Sequence, residues 1–205
     1  MTVQGILYII SAPSGAGKTT LVNTLIASNP QLRKSISHTT RLPRVTEVNG
    51  RDYYFVNEQE FVELELQGHF IETAKVFGNW YGTSKSWLEN SLSEGLDVIL
   101  EIDWQGARRV REYFNCVSIF ILPPSKAELL DRLQLRAQDN PKVISQRMQA
   151  ARNEMIHYSE YDYLIINDNF DSALSDLQAI IQTQRKRVLF QGECCAALIS
   201  ELMTE

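Results

Sequence analysis

Three cysteines in 205 residues cannot form a disulfide framework, because Cys194 and Cys195 are adjacent and Cys116 stands alone. Neither CxxC nor a His/Cys pair at zinc spacing occurs, so reduced thiols in a cytoplasmic protein are the expectation. Long apolar runs are missing too. Ile6–Ile10 spans five residues, far short of the ~20 that cross a bilayer. It has neither a charged n-region nor an A-x-A-like cleavage site, so no signal peptide or membrane association is expected. There is also no basic surplus, since 20 Lys+Arg against 25 Asp+Glu leave a net charge of −5. That argues against polynucleotides as partners, because neutralising a phosphate backbone takes an excess of Lys and Arg. A small basic site inside an acidic chain remains open. Repeats and low-complexity tracts are absent.

What is present is an ordinary globular composition, 44% hydrophobic and 22% charged. At ~150 residues per domain the length corresponds to about 1.4 domains, hence one domain with insertions. A chain of this size buries roughly 70% of its surface on folding and needs no staple.

Apolar runs at Ile6–Ile10, Tyr53–Val56, Asp97–Ile102, Val117–Leu122 and Tyr163–Ile166 are strand candidates. Between them, Leu21, Leu25 and Ile26 share a helical face, as do Leu129, Leu130 and Leu133, and further on Ala173, Leu177, Ile180 and Ile181. This alternation predicts an α/β fold with a mainly parallel sheet covered by helices on both faces. The stretch from about Ser37 to Gly82 looks irregular and reads as an insertion, and a second polar excursion runs from Pro123 to about Met155.

Ala12-Pro13-Ser14-Gly15-Ala16-Gly17-Lys18-Thr19-Thr20 follows the first strand and opens a helix. It departs from G-x-x-x-x-G-K-S/T only at Ala12. Such a loop turns its N–H groups toward a polyphosphate, glycines let the backbone approach, and the helix N-terminus adds positive potential. Lys18 would neutralise the β and γ phosphates, and the Thr19 hydroxyl would ligate Mg²⁺. Further on, Arg41 and Arg44 stand three apart around Pro43. Two guanidinium forks of this kind suit a dianionic phosphate, and the tyrosines of Asp52-Tyr53-Tyr54-Phe55 and Trp80-Tyr81 could complete its shell.

The P-loop, Ser37–Arg44, Val48–Tyr53, Phe70-Ile71-Glu72, Gly78–Ser84 and Ile102-Asp103-Trp104-Gln105-Gly106 occur in this order, followed by Phe120–Ser125 and Tyr163–Asp168. Together they resemble the guanylate kinase family in its bacterial form, over essentially residues 3–190. The resemblance implies a P-loop three-layer fold with a central mainly parallel sheet. Its parts would be a core at about 3–36, 93–122 and 156–190, a GMP-binding insertion at about 37–92, a lid at about 123–155 and a C-terminal helix at about 191–205. It implies transfer of the γ-phosphoryl group of ATP to GMP, and to dGMP, with Mg²⁺.

By the same resemblance, Arg41, Arg44, Tyr53 and Tyr81 hold the GMP phosphate, Ser37, Glu72 and Thr83 read guanine, and Asp103 lies at the nucleotide. The chemistry agrees for Glu72, since one carboxylate can accept both N1–H and the N2 amine of guanine. Adenine would leave that carboxylate unpaired, and sites of this kind discriminate by ~10⁴–10⁵. The Ser37 and Thr83 hydroxyls can donate to O6 and N7. In the lid, Arg132 and Arg136 lie i, i+4 and with Arg147 would surround ATP, Arg136 and Arg147 joining Lys18 and Arg44 as catalytic charges. Asn167 is expected at the adenine.

Glu101 and Asp103 alternate on one strand and should share a face. The family usually carries Asp where Glu101 stands, so only Asp103 is assigned a role. His38, His69 and His157 are expected to be packing or surface residues, and Trp80, Trp87 and Trp104 anchors. The tail carries Cys195, Leu198, Ile199 and Leu202 on one helical face, either packed on the body or used to form a homo-oligomer. Two alternatives are a family-like interaction module, disfavoured by the intact P-loop, and a kinase for another phosphorylated acceptor. A switch GTPase is disfavoured because Asn-Lys-x-Asp is absent.

Overall fold

The structure, a computed structural model, describes residues 4–76, 78–136 and 141–204, with backbone only at 136 and 141–143. The chain runs β1 (Leu7–Ser11), α1 (Lys18–Ala27), β2 (Leu32–Lys34), β3 (His38–Thr39), β4 (Tyr54–Phe55), α2 (Glu58–Leu66), β5 (Phe70–Val76), β6 (Asn79–Ser84) and α3 (Lys85–Ser93). It continues through β7 (Asp97–Leu100), α4 (Trp104–Arg111), β8 (Val117–Leu122), α5 (Lys126–Arg136), α6 (Pro141–Met155), β9 (Tyr163–Ile166), α7 (Phe170–Arg185), α8 (Val188–Cys194) and α9 (Ala196–Leu202).

β1 is buried along its whole length, as expected of a parallel strand covered on both faces. Its residues alternate between two cores. Tyr8 and Ile10 pack with Leu21 and Leu25 of α1 and Leu177 of α7. Leu7 and Ile9 face Leu88 and Leu92 of α3 and Val110 of α4. The sheet has the order β2-β7-β1-β8-β9, every pairing parallel. Arg185 closes α7 with two hydrogen bonds to the buried Asp97, which also accepts from the Ile6 N–H at 2.6 Å. These bonds tie the last long helix to the start of β7.

The segment expected to be irregular contains a second sheet, β4-β3-β6-β5. β3 and β4 have two residues each, too short for a hydrophobic period to register. The Tyr53–Val56 candidate thus belongs to this sheet and not to the central one. α2 begins with a capping box in which Asn57 and Glu60 exchange hydrogen bonds at 2.9 Å. It lays Phe61 against Phe70 and Trp80. His38 stacks on Tyr54 and meets His69 and Phe70 edge-on, and burial with His69 beside it pushes His38 down to about 4.

Two more expectations change. β7 ends at Leu100, and Asp103 caps α4 by accepting from the Gly106 N–H at 2.9 Å, so Glu101 and Asp103 do not share a strand. The tail forms two short helices in place of one, and Leu198, Ile199 and Leu202 are exposed and not packed on the body. β2 was not anticipated. Among the described residues the three cysteines are free, and no helix is long and apolar enough to cross a membrane.

Candidate active site

The C-terminal ends of β1 and β7 open into a cleft of about 250 Å³ roofed by the small sheet. Ala12, Pro13, Ser14, Gly15, Gly17, Lys18 and Thr19 form one wall. Gly15 and Gly17 have φ of +94° and +90°, a region that L side chains rarely adopt. A Cβ at Gly17 would also stand 2.4 Å from the Asn167 amide nitrogen. That nitrogen donates to the Ala16 carbonyl at 2.7 Å and so holds the loop against β9. Ala12, the one departure from the loop pattern, packs against the core.

Lys18 and Thr19 meet Glu101. The Thr19 hydroxyl donates to Glu101 Oε2 at 3.2 Å, Lys18 Nζ stands 4.0 Å from the same oxygen, and Lys34 Nζ is 2.8 Å from Oε1. Burial alone would raise the Glu101 carboxyl, but Lys18, Lys34 and Thr19 outweigh it and hold the group below the usual range. Burial lowers Lys18, with Glu101 and Glu154 opposing. Glu154, near the end of α6, also lines the cleft and accepts from the Ser14 N–H. Burial pushes Glu154 up to about 7, Lys18 pulls it down, and Asp103 adds to the rise. Among the described residues no group of three or more His, Cys, Asp or Glu is arranged to hold a metal. The Thr19 hydroxyl beside the Glu101 carboxylate is nonetheless the hard-oxygen set that suits a Mg²⁺ arriving with phosphates.

The opposite wall is made by Ser37, Arg44, Tyr53, Glu72 and Tyr81, with Asp103 between the two. Glu72 is 3% exposed. A register shift between Phe70 and Glu72 in β5 sets Glu72 opposite Thr83 of β6. The Thr83 hydroxyl donates its single proton to Glu72 Oε1 at 2.6 Å, which makes Thr83 a support for the carboxylate instead of a donor to a base. Glu72 Oε2 is buried without a hydrogen-bond partner. A Cβ on Gly106 would lie 2.8 Å from Oε2, so glycine there leaves the carboxylate its room. Burial pushes Glu72 up to about 7, against the Thr83 hydrogen bond, and Asp103 adds to the rise.

The two arginines differ. Arg41 is tied to Glu47 by bonds of 2.8 and 2.9 Å, with its guanidinium over the Tyr53 ring at 5.4 Å. Arg44 reaches only to 3.9 Å of Glu47, and its side chain is largely exposed at the cleft.

Other expected residues lie apart. Ala16 and Thr83 are fully buried behind the walls. Thr20, Arg132 and Asn167 line a separate hollow of about 370 Å³ on the outer side of the P-loop. There Arg132 holds Glu128 at 2.9 Å and donates to the Asn167 carbonyl at 3.3 Å. Arg147 is half-buried on α6. Arg136 ends α5, and its side chain lies outside the described residues. His157 stacks on Trp104 at 3.7 Å, a packing role.

Glu47, Glu154 and Lys34 were not anticipated. Glu154 meets the P-loop across most of the sequence, and Lys34 meets Glu101 only because β2 pairs with β7, so neither leaves a local signal. For Glu47, the spacing of three from Arg44 was available.

A family model described as guanylate kinase matches residues 4–184. The chain is 54% identical over 201 residues to a guanylate kinase of Methylococcus capsulatus, covering 98% of each. It is 52% identical over 205 residues to one from Escherichia coli K12, covering 98% of this chain and 99% of that one. A crystal structure of guanylate kinase from Anaplasma phagocytophilum superposes with a TM-score of 0.76 at 35% identity, over 92% of this chain and 89% of that one.

Proposed function

The chain belongs to the guanylate kinase family, and from that premise we infer that it transfers the γ-phosphoryl group of ATP to GMP, giving ADP and GDP. The observation that carries this is the pairing, in one cleft, of a P-loop lysine with a buried carboxylate whose Oε2 is unpartnered. The lysine suits a polyphosphate, and the carboxylate suits a base with two adjacent donors.

In this proposal Ala12–Thr20 cradle the ATP phosphates, and Arg132, Arg136 and Asn167 serve the rest of the nucleotide. Arg41, Arg44, Tyr53 and Tyr81 hold the GMP phosphate, the Arg41 guanidinium exchanging Glu47 for phosphate. Glu72 accepts from N1–H and N2 of guanine, Thr83 orients Glu72, Ser37 donates to the base, and Asp103 faces the nucleotide. An oxygen of the GMP phosphate attacks the γ phosphorus, and the bond to the β–γ bridging oxygen breaks, leaving ADP. The attacking oxygen is already anionic, so no general base is needed. The work is positioning and charge neutralisation, supplied by Lys18, Arg44, Arg136 and Arg147. Mg²⁺, bound through Thr19, would supply further neutralisation of the β and γ phosphates. Closure of α5 and α6 would exclude water and prevent hydrolysis of ATP. The cleft also suits dGMP. A cytoplasmic location and self-association through the exposed tail belong to the same proposal.

A coupled assay of ADP release tests it. Release that depends on added GMP is expected, whereas equal release with and without GMP would overturn it.

A further inference from the structure

Glu101 sits among three partners. Its Oε1 is 2.8 Å from Lys34 Nζ, and its Oε2 accepts from Thr19 at 3.2 Å and stands 4.0 Å from Lys18 Nζ. The Glu101 side chain is 11% exposed, and that of Lys34 is 22% exposed. Lys34 owes its place to strand pairing. It closes β2, where it lies opposite Ile99 of β7, two residues before Glu101.

The geometry points to Lys34 as a positioning residue of the transfer site. By drawing Oε1 to itself it keeps Glu101 from folding onto Lys18, and it sets Oε2 on the Thr19 hydroxyl. The inference rests on the nucleotide-binding function proposed above. With Lys34 gone, the only ammonium left to Glu101 among these partners is Lys18, and the carboxylate would turn onto the lysine that must meet the polyphosphate. Glu101 and Lys18 line the cleft, and Lys34 acts through Glu101. The side-chain length matters. An aspartate at 101 is one methylene shorter and would not extend to Lys18 in the same way, so it would need no such anchor.

The test is calorimetric titration of metal-free ADP, and separately of GMP, into the full chain and its variants. Lys34→Met should weaken ADP binding about tenfold, the size expected for losing one charge-assisted contact, while GMP affinity stays the same. Lys34→Arg should restore ADP binding. In a Glu101→Asp background, Lys34→Met should change ADP affinity less than twofold, by the double-mutant logic for coupled residues. Should Lys34→Met fail to fold, Lys34→Gln carries the same expectations. Steady-state kinetics should place the Lys34→Met defect in kcat and in KM for ATP, leaving KM for GMP alone.

Unchanged ADP affinity in Lys34→Met, or an equal loss in the Glu101→Asp background, would overturn the inference while leaving the proposed function intact. An equal loss of GMP affinity would overturn it too, since that would mark a general structural defect. Wild-type protein that bound no ADP would overturn both.

Discussion

The two walls of the cleft are made of different material. On the P-loop side the cradle is backbone, set by a fully buried strand, two left-handed glycines and the start of α1. Once strand, turn and helix have formed, its shape is determined. On the opposite side the groups are side chains carried by a loop and by the second sheet, two of them held by a partner: Arg41 by Glu47, and Glu72 by Thr83. A backbone cradle suits a phosphate chain that every nucleoside triphosphate shares. A side-chain site suits a single base, and it responds to the loss of one hydroxyl or one proton. The first wall should therefore govern turnover, and the second should govern which acceptor binds.

The largest effect expected to bear on this contrast is at Lys18. Lys18→Met should lower kcat by about 10²–10³, the scale for removing one preorganised charge from a transferring group, while KM for GMP changes less than threefold. A large shift in KM for GMP, with kcat preserved, would erase the division between the walls. Arg41→Ala should do the converse, raising KM for GMP about tenfold with a smaller effect on kcat, as initial rates against GMP would reveal.

The side-chain wall should also be pH-sensitive. Glu72 titrates near 7 because it is buried, and only the ionised form accepts both guanine donors. Above that pH the carboxylate is available, and below it KM for GMP should rise by up to about tenfold per unit. Thr83→Val removes the hydrogen bond that favours ionisation, so the midpoint should move to higher pH. A midpoint unmoved by that change would assign the titration to another group, such as the GMP phosphate.

The smallest effect concerns Glu154, whose carboxylate sits on the Ser14 N–H in the P-loop wall. Glu154→Gln should tighten ADP binding about threefold at pH 8, where the wild-type carboxylate is ionised and opposes an incoming anion. The difference should shrink as pH falls below about 7 and Glu154 takes up its proton. Calorimetry at pH 8 and pH 6 would measure both.

The same contrast explains what could be read from the sequence. The P-loop is local: strand, turn and helix follow one another within Leu7–Ala27, and each residue type there has its own conformational reason. The central strands other than β2 were legible from their apolar runs, β8 and β9 at both ends and β1 and β7 with ends shifted by a residue or two. The second sheet was not, because β3 and β4 are too short to leave a period and β5 and β6, though longer, bury runs of residues without alternation. Glu72 alone reads as a solvated acid, and its burial was legible only through the family resemblance, since it depends on room left by Gly106 of α4 and on the shift in β5. Net charge was the least informative quantity. Lys18, Arg41, Arg44, Arg132, Arg136 and Arg147 are six of only 20 basic residues in a chain of net charge −5, and their placement matters more than the sum.

The most direct test of the account compares GMP, AMP and UMP as acceptors for the wild-type protein and for Glu72→Gln. The wild type should favour GMP over AMP by ~10⁴ in kcat/KM, as sites with a committed hydrogen-bonding group do. Glu72→Gln should lose most of that preference through GMP, about 10²-fold, while KM for ATP holds. A wild-type enzyme that used AMP as readily as GMP, or a Glu72→Gln variant that kept the full preference, would contradict the account.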